Sequence, residues 1–104
     1  MGSVLDKCIP RQLLLIRQEH SLSQQQMADI MEISKPYYNR LENGGKTISD
    51  KQLKVLAHHF SINEDDLSVL SLVDKIENIL GGKPKNVIYK VIALVKEKID
   101  KIDK

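Results

Sequence analysis

Apolar residues recur at helical spacing along most of the chain, and no stretch shows the period-two alternation that is typical of a strand. Near the start, Ile9, Leu13 and Ile16 are separated by four and three residues, so they form one apolar stripe of a helix. Pro10 suits the first turn of this helix, which we expect to end at about His20. The pattern therefore predicts an all-α protein.

Two short helices joined by a tight turn are predicted within residues 22–44. Ser23 and Gln26 have the spacing of a capping box, which begins the first of these helices. Ser34 is a favourable N-cap for the second helix, and Asn43-Gly44 is a signal for its end. Helices of this length joined by three or four residues form a helix-turn-helix, whose second helix can enter the DNA major groove.

Three further helices are predicted after this motif. Ser49 and Gln52 form another capping box, and Asn63 caps a fifth helix. We expect the fifth helix to carry one continuous apolar stripe made of Leu67, Leu70, Val73, Ile76 and Leu80. Residues 81–84 are the strongest helix breaker in the chain. The last helix, at residues 85–102, carries a coiled-coil-like seam of Ile88, Ile92, Val95, Ile99 and Ile102.

The elements divide the chain into three parts. Residues 1–8 form a loose N-terminal arm, residues 9–70 a five-helix domain with the helix-turn-helix, and residues 71–104 a C-terminal helical extension. The apolar surface of the fifth and last helices exceeds what the small domain can cover. We therefore expect the extension to mediate dimerisation, while the alternative is that the last helix folds back on its own domain.

Several segments at fixed spacing resemble the phage-repressor and Cro type of helix-turn-helix, called the XRE family. They are Leu22-Ser23-Gln24, Ala28, Ile33-Ser34, Leu41-Glu42-Asn43-Gly44 and Lys46-Thr47. The resemblance covers residues 9–70 and is specific as a set. It implies the five-helix repressor-type fold and a bacterial or phage DNA-binding transcriptional regulator.

Two positions depart from the family pattern. Glu32 stands in the turn where the family has a glycine with positive φ, so it either carries strain of about 1 kcal/mol or marks a different turn. Pro36 stands where a polar residue is common. It cannot donate a hydrogen bond, and apolar contact with a thymine methyl is its best use.

Base reading needs donors or acceptors on the exposed face of the second motif helix. Because Tyr38 and Leu41 face the core, the other face holds Lys35, Pro36, Tyr37, Asn39 and Arg40. The resemblance assigns base reading to Lys35, Pro36 and Arg40, with Asn39 as a further candidate. Outside this motif, the same residues would form an ordinary solvated helix face.

Phosphate contacts position a protein on DNA without reading its sequence. The resemblance places such contacts at Gln24, Asn43, Lys46 and Thr47, and Lys51 is a weaker candidate at the start of the next helix. Each of these side chains can instead serve as a cap or as loop solvation.

Arg17 and Glu42 have the positions of a structural ion pair in the family. The pair would join the first helix to the recognition helix, and we expect it to be partly buried. A carboxylate beside DNA phosphate would be repelled, which favours this structural role for Glu42.

Bulk properties exclude several classes of protein. The single cysteine, Cys8, cannot form an internal disulfide, and the net charge of +2 is too small to indicate DNA binding on its own. No run of 18 apolar residues and no signal peptide is present, so we expect a cytoplasmic, nucleoid-associated bacterial protein without membrane contact. One cysteine and three scattered histidines predict no metal site, and no catalytic constellation or cofactor motif is present.

Two functions from different classes remain. The first is a sequence-specific transcriptional regulator that we expect to be a repressor, although the sequence leaves activation open, and that binds an inverted repeat in double-stranded DNA as a homodimer. Its dimer interface would consist of Ile88, Val91, Ile92, Val95 and Ile99. The second is a protein-interaction module or antitoxin-like regulator, whose C-terminal helices bind a toxin or antagonist protein.

Overall fold

The computed structural model describes residues 8–102, so all but the last residue of the predicted N-terminal arm lies outside the described residues. Six helices follow one another in this part of the chain, and it contains no strand, which confirms the all-α prediction. The helices are α1 (Ile9–Glu19), α2 (Gln24–Met31), α3 (Lys35–Asn43), α4 (Asp50–Phe60), α5 (Glu64–Leu80) and α6 (Lys85–Asp100). The last helix ends two residues earlier than Ile102, where the sequence predicts its end.

Local sequence sets where four of the helices begin. The hydroxyls of Ser23, Ser34 and Ser49 accept a hydrogen bond from the N–H three residues later, at 3.0, 3.2 and 3.2 Å. The side chain of Asn63 does the same at 3.0 Å. Each bond satisfies an N–H group that has no partner within its own helix. The starts of α2 to α5 therefore coincide with the predicted caps.

The core lies among α1 to α4 and the first half of α5. α2 and α3 pack against each other, α3 also packs against α1, and α4 packs against α2 and α5. Tyr38 of α3 is fully buried, with Leu13 of α1, Met27 of α2, Leu56 of α4 and Leu67 of α5 in the same cluster. This packing holds α2 and α3 in a fixed relative orientation.

The turn between α2 and α3 adopts the strained conformation. Glu32 ends α2 with φ of +59° and ψ of +42°, in the left-handed region that favours glycine. Its N–H donates to the Ala28 and Asp29 carbonyl oxygens, so the backbone there closes the end of the helix. The position is exposed, and the motif keeps its turn despite the missing glycine.

α5 carries two apolar faces where the sequence predicts one stripe. Leu67 and Leu70 are fully buried in the core, whereas Val73 and Ile76 are exposed by 40 and 48%. Residues three apart in a helix are separated by about 300°, which is 60° short of a full turn. Successive apolar residues at this spacing therefore lie progressively further around the helix. The single-stripe prediction is therefore wrong. The far end of α5 instead presents an outer face directed away from the core.

α6 lies outside the core. None of its residues is buried, and Ile88 is the one residue of this helix that is half-buried. All thirteen exposed large hydrophobic side chains of the described residues lie between Val69 and Ile102. The described α6 therefore contributes no buried side chain to the core.

One long-range hydrogen bond joins α5 to the start of α1. Cys8, the residue before α1, provides no side-chain cap, and the Ile9 N–H donates instead to the Asp74 carboxylate at 2.9 Å. A carboxylate at a helix N-terminus satisfies a free N–H and interacts favourably with the helix dipole. Asp74 thus extends the contact between α5 and the domain beyond the last buried residues.

We expect Asp74→Ala to lower the free energy of unfolding by about 1 kcal/mol, because it removes the N-terminal cap of α1. Urea denaturation followed by circular dichroism measures the change. Asp74→Asn should lose less, since the amide oxygen still accepts, and Lys75→Ala at the neighbouring exposed position is the control. Equal stability of Asp74→Ala and the wild type would contradict the capping role.

We expect Glu32→Gly to raise the free energy of unfolding by about 0.5–1 kcal/mol, because glycine adopts φ of +59° without steric cost. Thermal denaturation measures the change. Glu32→Ala keeps the backbone strain and should leave the melting temperature nearly unchanged. A less stable glycine variant would mean that the gain in unfolded-state entropy outweighs the relief of strain.

Candidate nucleic-acid interface

The outward face of α3 is set by the residues that the helix buries. Tyr38 and Leu41 point into the core, and the side chains of Lys35, Pro36 and Arg40 are exposed on the other side. Pro36 lies in the first turn of α3, where its missing N–H is tolerated. Three of the five predicted base-reading residues therefore stand free on one helix face.

Tyr37 and Asn39, the other two predicted base-reading residues, are only partly exposed. The Tyr37 ring packs against the edge of the core, and the Lys46 ammonium lies 5.2 Å from its centroid. This distance fits a cation–π contact, which also holds the loop after α3 against the helix.

The Glu42 carboxylate, near the end of α3, accepts four side-chain hydrogen bonds. Arg17 of α1 donates from Nε at 2.8 Å and from Nη2 at 3.0 Å in a bidentate pair. Tyr38 donates its hydroxyl at 2.7 Å, and Gln24 of α2 donates its amide at 3.1 Å. Only 7% of the Glu42 side chain and 22% of the Arg17 side chain are exposed. One carboxylate thus joins three helices.

These contacts shift the acidity of both groups on α3. Burial by itself raises the pKa of Glu42, but the hydrogen bonds from Arg17, Tyr38 and Gln24 outweigh it and hold the pKa below its ordinary value of 4.5. Burial, together with the hydrogen bond to Glu42, raises the pKa of Tyr38. Glu42 is therefore an anion and Tyr38 a neutral donor at neutral pH.

A chain of amides runs from Glu42 to the surface of α3. Gln24 donates to the carboxylate and accepts from the Asn39 amide at 3.3 Å, and Asn39 accepts from Asn43 at 3.0 Å. Because a carboxylate only accepts, Gln24 must present its NH₂ group inward, which fixes the direction of the next two bonds. Two predicted DNA-contacting residues, Gln24 and Asn39, are thereby oriented from the core.

The sequence pattern predicts only a packing role for Tyr38 and assigns no partner to its hydroxyl. Tyr38 and Glu42 are four residues apart on one helix, as are Asn39 and Asn43, and residues at this spacing are neighbours. This spacing is a signal that could have revealed both contacts. The contacts of Gln24, by contrast, span 15 and 18 residues and carry no local signal.

Exposed cationic and polar groups follow α3 along the chain. Lys46 and Thr47 are exposed in the loop after α3, Asn43 is exposed at its end, and Lys51 is exposed in the first turn of α4. Within residues 8–102, none of Lys35, Arg40, Lys46 or Lys51 takes part in an ion pair. α2 begins at Gln24, so its first-turn N–H groups lie at the helix end that attracts anions.

The part of the chain that the structure describes has neither a metal-binding cluster nor a membrane-spanning helix. It contains no group of three or more His, Cys, Asp or Glu residues that could hold a metal ion. None of its helices is long and apolar enough to cross a membrane.

Comparison with known proteins identifies one family. The sequence model described as helix-turn-helix matches residues 13–67, which is 55 of the 104 residues. A search of curated proteins and a search of solved structures each gave no match. The matched segment contains all of α2, α3 and α4, and it ends at Leu67 in the first turns of α5, so the outer part of α5 and all of α6 lie outside it.

We expect Glu42→Gln to lower the free energy of unfolding at pH 7 by about 2 kcal/mol, because a neutral amide leaves the Arg17 guanidinium without its counter-ion. The partial exposure of Arg17 keeps the loss below that of a fully buried pair. Urea denaturation at several pH values measures it.

The sign of the pH dependence follows from the lowered pKa of Glu42. A carboxylate whose pKa is lowered in the folded state stabilises the fold fully at pH values above its unfolded-state pKa, which is 4.5 here. This contribution is lost as the pH falls through the folded-state pKa. The difference between wild type and Glu42→Gln should therefore shrink below about pH 4.5. Asp29→Asn, at an exposed position of α2, is the control. A difference that is constant with pH would contradict the ionic role.

Proposed function

The chain belongs to the XRE-type helix-turn-helix family of DNA-binding transcriptional regulators, and we propose that it is a repressor that binds an inverted-repeat operator as a homodimer. The observation that carries this proposal is the exposed face of α3, where Lys35, Pro36 and Arg40 stand free beside the start of α2. In this geometry α3 enters the major groove while α2 crosses the backbone.

Base reading falls to the three free side chains of α3. Arg40 suits a bidentate contact with guanine O6 and N7, Lys35 suits a single guanine acceptor, and Pro36 suits a thymine methyl. Asn39 already donates to Gln24 and accepts from Asn43, so pairing with adenine would require these bonds to open. We therefore assign base reading to Lys35, Pro36 and Arg40, and a positioning role to Asn39.

We assign phosphate contacts to two sets of polar groups. The first set is the first-turn N–H groups of α2 at Gln24. The second set is Asn43, Lys46, Thr47 and Lys51, at the end of α3, in the following loop and in the first turn of α4. Such contacts would fix the register of α3 in the groove without reading sequence.

A homodimer follows from the size of the reading surface. One recognition helix contacts only a few base pairs, whereas two related helices bind half-sites about 34 Å apart on one face of the DNA. A two-fold symmetric protein therefore predicts an inverted repeat.

A second candidate function is a protein-interaction module or antitoxin-like regulator, in which the C-terminal helices bind a toxin or antagonist. The exposed apolar side chains of residues 69–102 favour it, as does the modest net charge of +2. The two candidates differ in whether the protein selects a DNA sequence.

Selection from random double-stranded DNA at near-physiological salt should enrich an inverted repeat. Arg40→Ala should relax the preference at one position of each half-site, at a cost of about 1–3 kcal/mol of discrimination. Lys46→Ala should weaken binding to all sequences about equally and reduce the salt dependence of the affinity. This contrast separates a base contact from a phosphate contact.

Enrichment of a single half-site would retain DNA reading and contradict the symmetric homodimer. A folded protein that enriches no sequence would contradict the repressor and favour the interaction module. A uniform loss of affinity for Arg40→Ala, without changed preference, would remove Arg40 from base reading.

A further inference from the structure

The exposed large hydrophobic side chains of residues 8–102 are concentrated near the C-terminal end of the sequence. All thirteen lie between Val69 and Ile102, and they are 40 to 74% exposed. None of them belongs to α1 to α4. Soluble monomers rarely expose large apolar patches, so we expect part of this surface to be covered by another molecule.

Part of this surface forms a groove between the outer face of α5 and α6. Its volume is about 440 Å³. Ile76, Ile79 and Leu80 line it from α5, and Ile92, Val95 and Ile99 line it from α6. We call this space the hairpin groove. A third helix with a similar apolar row could fill this groove.

α6 has a wider apolar face than one neighbour can cover. At 100° per residue, its apolar positions run from Leu94 through Val95 and Ile88 to Ile92, an arc of about 160°. A two-helix seam needs a narrower stripe, whereas a helix in a bundle contacts two neighbours and needs a wider one. α5 of the same chain lies on one side of the groove, so the remaining arc requires a helix from elsewhere.

We infer that the occupant of the hairpin groove is α6 of a second copy of this chain, so that two α5–α6 hairpins form a four-helix bundle. The first half of α5 is buried in the core, so Ile76, Ile79 and Leu80 at its end are the α5 side chains that face the groove. Together with the wide apolar face of α6, these side chains are of the kind that fill the core of such bundles.

The charges of the two helices also favour a second copy. α5 carries five acidic side chains and one basic side chain, and α6 carries four basic and two acidic ones. Each copy therefore presents an acidic α5 and a basic α6, and opposite charges favour the approach of α6 from one copy to α5 of the other.

The continuity of α5 connects this interface to the DNA-binding domain. Leu67 and Leu70 are buried in the core, and Ile76 and Ile79 of the same helix line the hairpin groove. A bundle built on α5 would fix the separation of the two recognition helices. The inference rests on the homodimer of the proposed function and adds the surface through which it forms.

The test is the mass of the full chain in solution without DNA, measured by analytical ultracentrifugation at micromolar concentration. The wild type should sediment as twice 11.8 kDa. Ile92→Glu should sediment as a monomer, with at least a 100-fold weaker dimer, because it places a charge in the hairpin groove. No residue of α6 is buried, so the domain should stay folded by circular dichroism.

The matched control is Tyr89→Glu on the same helix. Tyr89 is 66% exposed and lies about 60° outside the apolar arc, so this variant should remain dimeric. A second measurement, in a Cys8→Ser background, mixes one copy carrying Ile76→Cys with another carrying Ile92→Cys. An intermolecular disulfide between the two different copies is expected.

Three outcomes would overturn the inference: a monomeric wild type, a dimeric Ile92→Glu, or no disulfide between the mixed copies. A monomeric wild type that binds another protein through the hairpin groove would assign the groove to that protein. A dimer that selects no DNA sequence would contradict the repressor and leave the dimer interface intact. DNA selection and solution mass therefore distinguish failure of the proposed function from failure of this inference.

Discussion

The recognition surface depends on the hydrogen bonds that the Glu42 carboxylate accepts. It accepts hydrogen bonds from Arg17 of α1, Gln24 of α2 and Tyr38 of α3, so three helices share one anion. A buried carboxylate is costly unless its oxygens are satisfied, and here both oxygens accept two bonds. Removing any one donor would leave the carboxylate with fewer hydrogen bonds to offset the cost of its burial. This shared requirement adds to the core packing in holding α2 and α3 in a fixed orientation.

The same anion extends its influence to the protein surface. Because Glu42 can only accept, Gln24 is oriented with its amide nitrogen inward, and Asn39 and Asn43 follow in turn. The outward face of α3 is therefore divided into side chains that the fold holds, such as Asn39, and side chains that stand free, such as Lys35 and Arg40. The free side chains are the ones that can respond to a DNA base.

α5 contributes to two separate packing surfaces, the core and the hairpin groove. Its first half closes the core with Leu67 and Leu70, and Asp74 caps α1. Its second half turns Ile76 and Ile79 outward into the groove beside α6. A rigid helix with apolar residues on opposite faces transmits the position of one surface to the other. The recognition helix and the proposed dimer interface are thus linked through a single element.

Features that depend on neighbours along the chain can be predicted from the amino-acid sequence. The caps at Ser23, Ser34, Ser49 and Asn63 act within three residues, so spacing alone predicts the helix starts and the all-α class. The exposed side chains of α3 follow from the two residues that the helix buries. Three features emerge only from the folded chain: Gln24 orients Asn39, Asp74 caps α1, and α5 has two apolar faces. These contacts join residues far apart in sequence or depend on what packs against each side of a helix, which spacing alone does not encode.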